Sequence, residues 1–153
     1  MSDDSRFNKI VVPVDFSDCS GAALERAAAL QGVMGAQLLI LHTYELPVLS
    51  MPQATLMAGE MNASLVERDA RFAQQQLDEF ITKRSVTRSD TVRTLIEVGP
   101  AAETIIAVAE REEADLVVMG THGRTGLARV LLGSTTERVL RAVSCPVLTV
   151  RGP

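Results

Sequence analysis

The sequence predicts an α/β fold, a single doubly wound sheet of mainly parallel strands with helices on both faces. Short runs of apolar, often β-branched residues alternate with segments of helical period. Those runs are apolar at consecutive positions rather than at every second one, which marks strands buried on both faces. Size sets a further bound: 153 residues with 46% apolar content can fill one core but not two ordinary domains, so one domain over 1–153 is expected.

The first strand is read in Lys9-Ile10-Val11-Val12-Pro13-Val14-Asp15 and the second in Leu38-Leu39-Ile40-Leu41-His42. Thr94-Leu95-Ile96-Glu97-Val98 stops at Gly99-Pro100, Leu116-Val117-Val118-Met119 stops at Gly120, and Val147-Leu148-Thr149-Val150 follows Pro146, which makes five strands. Between them, Gly21 to Gly32 is rich in Ala and Leu. Val66, Ala70, Ala73, Leu77 and Phe80 recur at steps of three and four and predict an amphipathic helix. Ala102, Ile105, Ile106 and Ala109 repeat that pattern, as do Val139, Leu140 and Val143. The order is βαβαβαβαβ, and right-handed crossovers leave few topologies for it. Only 45–62 breaks the rhythm, with Pro47, Pro52 and Gly59 interrupting it and Met51, Met57 and Met61 scattered through it. It reads as a long, partly helical connection, either tucked on the core or forming an adaptable cover.

No apolar run approaches the roughly 20 residues of a membrane span, and Met1 to Arg6 lacks the basic-then-apolar pattern of a secretion signal. A soluble, cytoplasmic protein is expected, with the first six residues a loose tail. Cys19 and Cys145 form no CxxC pair, so free, buried or half-buried thiols are expected rather than zinc ligands or a disulfide. A net charge of −4 argues against general nucleic-acid binding. Between Gly120 and Arg141, however, Arg124, Arg129, Arg138 and Arg141 face one acid, Glu137, a local positive field suited to a phosphate-bearing small ligand.

The chemistry concentrates in Gly120-Thr121-His122-Gly123-Arg124-Thr125-Gly126 after the fourth strand, and in Gly133-Ser134-Thr135-Thr136-Glu137 at the last helix. Glycines let backbone N–H groups approach a ligand, and a Gly-Ser-Thr helix start adds unpaired N–H groups, hydroxyls and the positive helix end. The same residues admit another reading, since Ser134 with Glu137 spells an S-x-x-E capping box that needs no ligand. Both remain open on local features. Neither the P-loop nor the G-x-G-x-x-G pattern is present.

The spacing Gly120, two residues, Gly123, nine residues, Gly133-Ser134 resembles the ATP-binding G-2x-G-9x-G-(S/T) pattern of the universal stress protein family. The likeness extends over nearly the whole chain, through Ile10 to Ser17, Leu41-His42, Val98-Gly99-Pro100 and Cys145 to Val150. It implies a sheet of order 3-2-1-4-5, whose switch-point crevice lies at the C-terminal ends of strands one and four. By similarity to ATP-binding members, Pro13, Val14 and Asp15 touch the nucleoside and Thr43 approaches the adenine. Met119, Gly120, Gly123 and Arg124 line the ribose and phosphate side, and Gly133, Ser134 and Thr135 hold phosphates. The implied ligand is ATP, with a divalent cation such as Mg2+ on its phosphates.

Asp15 also fits a turn or helix cap. His42 reads as a hydrogen-bonded structural histidine, and His122, though inside the phosphate loop, has no acid at triad spacing, so no residue is assigned catalysis. An ATP-binding stress-response or regulatory protein is the leading reading. A slow ATPase or phosphoryl or adenylyl transferase would need a metal-binding acid, for which only Asp15 is available. A ligand-free interaction module, or a related flavin-binding fold, is opposed by the intact Gly120, Gly123, Gly133 and Ser134 set. The resemblance and the apolar last strand, Pro146 to Val150, followed only by Arg151-Gly152-Pro153, also predict a homodimer centred on Val147, Leu148 and Thr149.

Overall fold

A β-branched run bounded by polar residues forms the central strand, and every other element is placed by burying an apolar side against the sheet it anchors. The computed structural model describes residues 7–45, 59–122 and 132–153, with 59–65 described by their backbone. In chain order these are β1 (Lys9–Val14), α1 (Asp18–Met34), β2 (Gln37–Tyr44), α2 (Gly59–Lys83), β3 (Val92–Val98), α3 (Ala101–Arg111), β4 (Leu116–Gly120), α4 (Ser134–Ala142) and β5 (Val147–Val150). The five strands pair in parallel in the order β3-β2-β1-β4-β5. Fold class and strand order are therefore as expected.

The alternating faces of β1 explain the layers. Ile10, Val12 and Val14 pack with Leu24 and Ala27 of α1 and Leu77, Phe80 and Ile81 of α2 on one side. Val11, with Leu39 and Leu41 of β2, packs on the other against Ile105, Val108 and Ala109 of α3 and Val139 of α4. Burying each such aliphatic chain contributes roughly 1.5–3 kcal/mol, so this two-sided core is the main stabilising term. Arg84, just beyond α2, reaches across to α1, where it pairs with Asp18 at 2.8 Å and Glu25 at 3.2 Å and lies over the Phe80 ring. Gly21 admits it, since a Cβ there would stand 2.2 Å from the guanidinium carbon.

Two side chains expected on buried helix faces are exposed. Val66 is 38% accessible and Leu140 47%. Val66 lies toward the N-terminal end of α2, ahead of buried Ala73, Leu77 and Phe80, and Leu140 sits one step of the helix away from buried Val139. The loose tail expected at 1–6 and most of the methionine-bearing connection, 46–58, lie outside the described residues, while 59–62 belong to α2.

Candidate functional site

At the end of β1 the chain turns sharply. Phe16 takes φ +67°, a left-handed conformation that costs a non-glycine residue energy. Its ring is held between His42, at 4.3 Å between centroids, and Phe80, at 5.5 Å. Asp15 closes the turn, its Oδ1 accepting from the Ser17 amide at 3.1 Å and the Ser17 hydroxyl at 2.5 Å. Ser17 caps α1 by accepting from the Ser20 amide, and the Ser20 hydroxyl accepts from the Asp15 amide at 3.3 Å while donating to the Ser17 carbonyl. The turn-closing reading of Asp15 is therefore realised, and it does not exclude the ligand reading, because Asp15 also lines the cavity described below.

At the end of β4, Gly120 packs so closely on α1 that a Cβ would stand 2.9 Å from Cys19 Sγ and 3.0 Å from the Cys19 carbonyl carbon. Thr121 continues from it, and its carbonyl accepts from the Gly133 amide at 2.7 Å. Buried Thr136 donates its hydroxyl to the Gly120 carbonyl at 2.9 Å. The start of α4 is thus tied to the end of β4 by two bonds. The capping box does not form, for the N-cap of α4 is Gly133, which has no side chain to offer, and the Glu137 carboxylate is paired with Arg141. The N–H groups of that first turn are left without a side-chain cap at the N-cap position.

Between these two strand ends lies a cavity of about 330 Å³. Of the residues expected there, Pro13, Val14, Asp15, Thr43, Met119, Gly120, Gly133, Ser134 and Thr135 all line it. Gly123 and Arg124 lie outside the described residues. Five further residues complete the lining: Ser20, Ala101, Ile105, Thr136 and His122, the last singled out in the sequence without a role. Ala101 and Ile105 stand one helical turn apart on α3, directly after Gly99-Pro100, and that spacing after a strand end was the available signal for them. With Ser20 they show that the first turns of α1, α3 and α4 all reach the cavity.

Of the four arginines of the expected positive field, the two described ones are each paired with an acid. Arg138 is paired with Glu103 and Arg141 with Glu137, both exposed, while Arg124 and Arg129 fall outside the described residues. His42 is buried with its Nδ1 2.8 Å from the Val14 carbonyl, and since a carbonyl only accepts, Nδ1 carries the proton. It is the structural histidine expected. Both cysteines are free and half-buried; burial pushes the Cys145 thiol above its ordinary value, the Asp115 carboxylate adds to this, and backbone hydrogen bonds at Cys145 and Val117 oppose it. Among the described residues no cluster of three or more His, Cys, Asp or Glu side chains could hold a metal ion, and no helix is long and apolar enough to cross a membrane.

A model of the universal stress protein family matches residues 6–151. The chain belongs to that family. Universal stress protein MJ0531 of Methanocaldococcus jannaschii is 32% identical to it over 148 residues, covering 96% of this chain and 84% of that one. The solved structure of MJ0577 from the same organism superposes with a TM-score of 0.75 at 28% identity, covering 96% and 97% of the two chains. A further universal stress protein, solved in complex with cAMP, matches with a TM-score of 0.62 at 26% identity over 97% of this chain and all of that one. In this universal stress protein, the cavity lies where β1 and β4 run side by side and the chain order reverses, the switch point at which open α/β sheets bind ligands.

Proposed function

We propose that this universal stress protein binds ATP in the cavity between the C-terminal ends of β1 and β4, and acts as a stress-response or regulatory protein governed by nucleotide occupancy. One observation carries the reading. Segments far apart in sequence, 13–15, 43, 119–120 and 133–135, meet on a single cavity, and the start of α4 opens onto it without a side chain at its N-cap. The apolar wall of Val14, Ile105 and Met119 suits a flat base, and the N-terminus of α4 with the Ser134 and Thr135 hydroxyls suits phosphate. Gly123 and Arg124, which complete the sequence pattern, extend the phosphate side in this proposal.

A divalent cation such as Mg2+ enters with the phosphates in this reading. Asp15 is the one carboxylate among the described lining residues, and its Oδ1 is engaged by Ser17. No residue is therefore assigned to hydrolysis, and binding is favoured over catalysis. A homodimer through β5 completes the proposal.

ATP should raise the melting temperature, because a ligand bound only by the folded state adds about 2.7 kcal/mol at a hundredfold excess over Kd. For a chain of this size that is about 5 °C or more. Differential scanning fluorimetry with ATP and cAMP in parallel tests it. A shift with cAMP alone would reassign the ligand, and no shift with millimolar amounts of either would remove the nucleotide reading.

A further inference from the structure

We infer that Thr136 is a positioning residue for the phosphate end of the site, acting through the Gly120 carbonyl rather than by holding the ligand itself. The inference rests on the cavity being an ATP site. Thr136 stands two residues beyond Ser134 in the first turn of α4, and only 4% of it is accessible. Its hydroxyl donates to the carbonyl of Gly120, the last residue of β4, at 2.9 Å. The Gly133 amide donates to Thr121 in the same direction at 2.7 Å. These two bonds tie the start of α4 directly to Gly120 and Thr121.

The geometry makes the Thr136 bond the more consequential of the two for a ligand. The N–H groups of Ser134 and Thr135 lie in the same helical turn as Thr136, so anchoring Thr136 fixes where those donors stand relative to the cavity. Gly120 is itself packed on the Cys19 backbone with no room for a Cβ, so the strand end is held against α1. A strand end packed against α1 and a 2.9 Å hydrogen bond to its carbonyl together tie the helix end to β4. Pre-set donors of this kind bind an anion more tightly than donors that must be ordered by it. A valine at 136 would keep the shape and lose the bond, leaving the Gly120 carbonyl with one partner fewer and the helix end free to shift.

Titration calorimetry of the intact protein with ATP and with adenosine tests this. Thr136→Val should weaken ATP binding about tenfold, corresponding to about 1.4 kcal/mol, while adenosine binding stays within about twofold of wild type. Thr136→Ser and Thr136→Ala form a second pair that differs only in the hydroxyl, so the comparison survives if the valine variant folds poorly; serine should keep ATP affinity and alanine lose it. Equal ATP affinity in serine and alanine variants, or equal loss of ATP and adenosine, would overturn the inference. A wild type that binds neither ligand would instead overturn the reading of the cavity on which it rests.

Discussion

At the scale of single residues, two glycines of the motif answer to different demands. Gly120 is required by the protein itself, because any Cβ would press on the carbonyl carbon and oxygen of Cys19, backbone atoms that can yield only if α1 moves. Gly120→Ala should therefore destabilise the ligand-free protein by about 1–3 kcal/mol, the usual cost of overpacking, as read by urea denaturation without nucleotide. Unchanged stability would show that α1 adjusts freely. Gly133, by contrast, takes an extended conformation open to any residue, φ −69° and ψ 153°, and its significance lies in leaving the cap of α4 empty. The sequence alone could not decide this point. Ser134 and Glu137 have the spacing of a capping box, yet the helix begins at Ser134 rather than after it, so the box is out of register by one residue and Glu137 turns to Arg141. A one-residue shift of a helix start depends on tertiary contacts, here the Gly133 bond to Thr121 and the Thr136 bond to Gly120.

At the scale of elements, what was legible followed burial. All five strands are where apolar runs ended in polar residues or glycine, and the signal is cleanest in the buried strands β1, β2 and β4, where a strand covered on both faces has no freedom to place polar side chains, while the edge strand β3 admits Arg93 and Glu97. Helix faces were read less well: Val66 and Leu140 matched the period but not the contact, since the period says which residues share a face and not how far the sheet extends beneath it. The lining of the cavity was legible at the ends of strands one and four and at Gly133 to Thr135, with Gly123 and Arg124 outside the described residues, whereas Ala101 and Ile105 were missed because apolar wall residues look like core residues in sequence. The start of α1 was also read late, at Gly21 rather than Asp18, although Ser17 is a favoured cap. That cap is unusual in its second bond: Ser17 Oγ must donate to Asp15 while accepting from the Ser20 amide. Ser17→Ala should cost about 1 kcal/mol, the ordinary value of an N-cap. Ser17→Asp, elsewhere an equal cap, should do no better, since it cannot donate and sets a second carboxylate against Asp15. Chemical denaturation of both variants checks this, and an aspartate variant as stable as wild type would show that the Asp15 bond adds nothing.

At the scale of the whole molecule, the sheet has two edges, β3 and β5, and they are protected differently. Along β3, Arg93 pairs with Glu112 and Glu97 with Arg111, and charged side chains of this kind deter another strand from adding. β5 carries none: its four residues are Val147, Leu148, Thr149 and Val150, with Leu148 38% accessible. Self-association is therefore expected at β5, where antiparallel pairing of the same strand from two copies closes after two subunits. Hydrogen-bond direction decides how to test it. The Val117 amide donates to the Pro146 carbonyl and the Thr121 amide to the Val150 carbonyl, so the backbones of 146, 148 and 150 face β4, and by the two-residue period those of Val147 and Thr149 face outward. Leu148→Pro, an obvious change at the centre of the strand, would thus break the ladder to β4 and destabilise the subunit, confounding the result. Thr149→Pro removes an outward N–H instead, at a kind of position where edge strands tolerate proline. The wild type should elute as a dimer at micromolar concentration by light scattering behind a sizing column, and Thr149→Pro as a folded monomer with its melting transition retained. A monomeric wild type would end the proposal of a dimer, and a Thr149→Pro variant that stays dimeric and folded would move the contact away from the β5 edge.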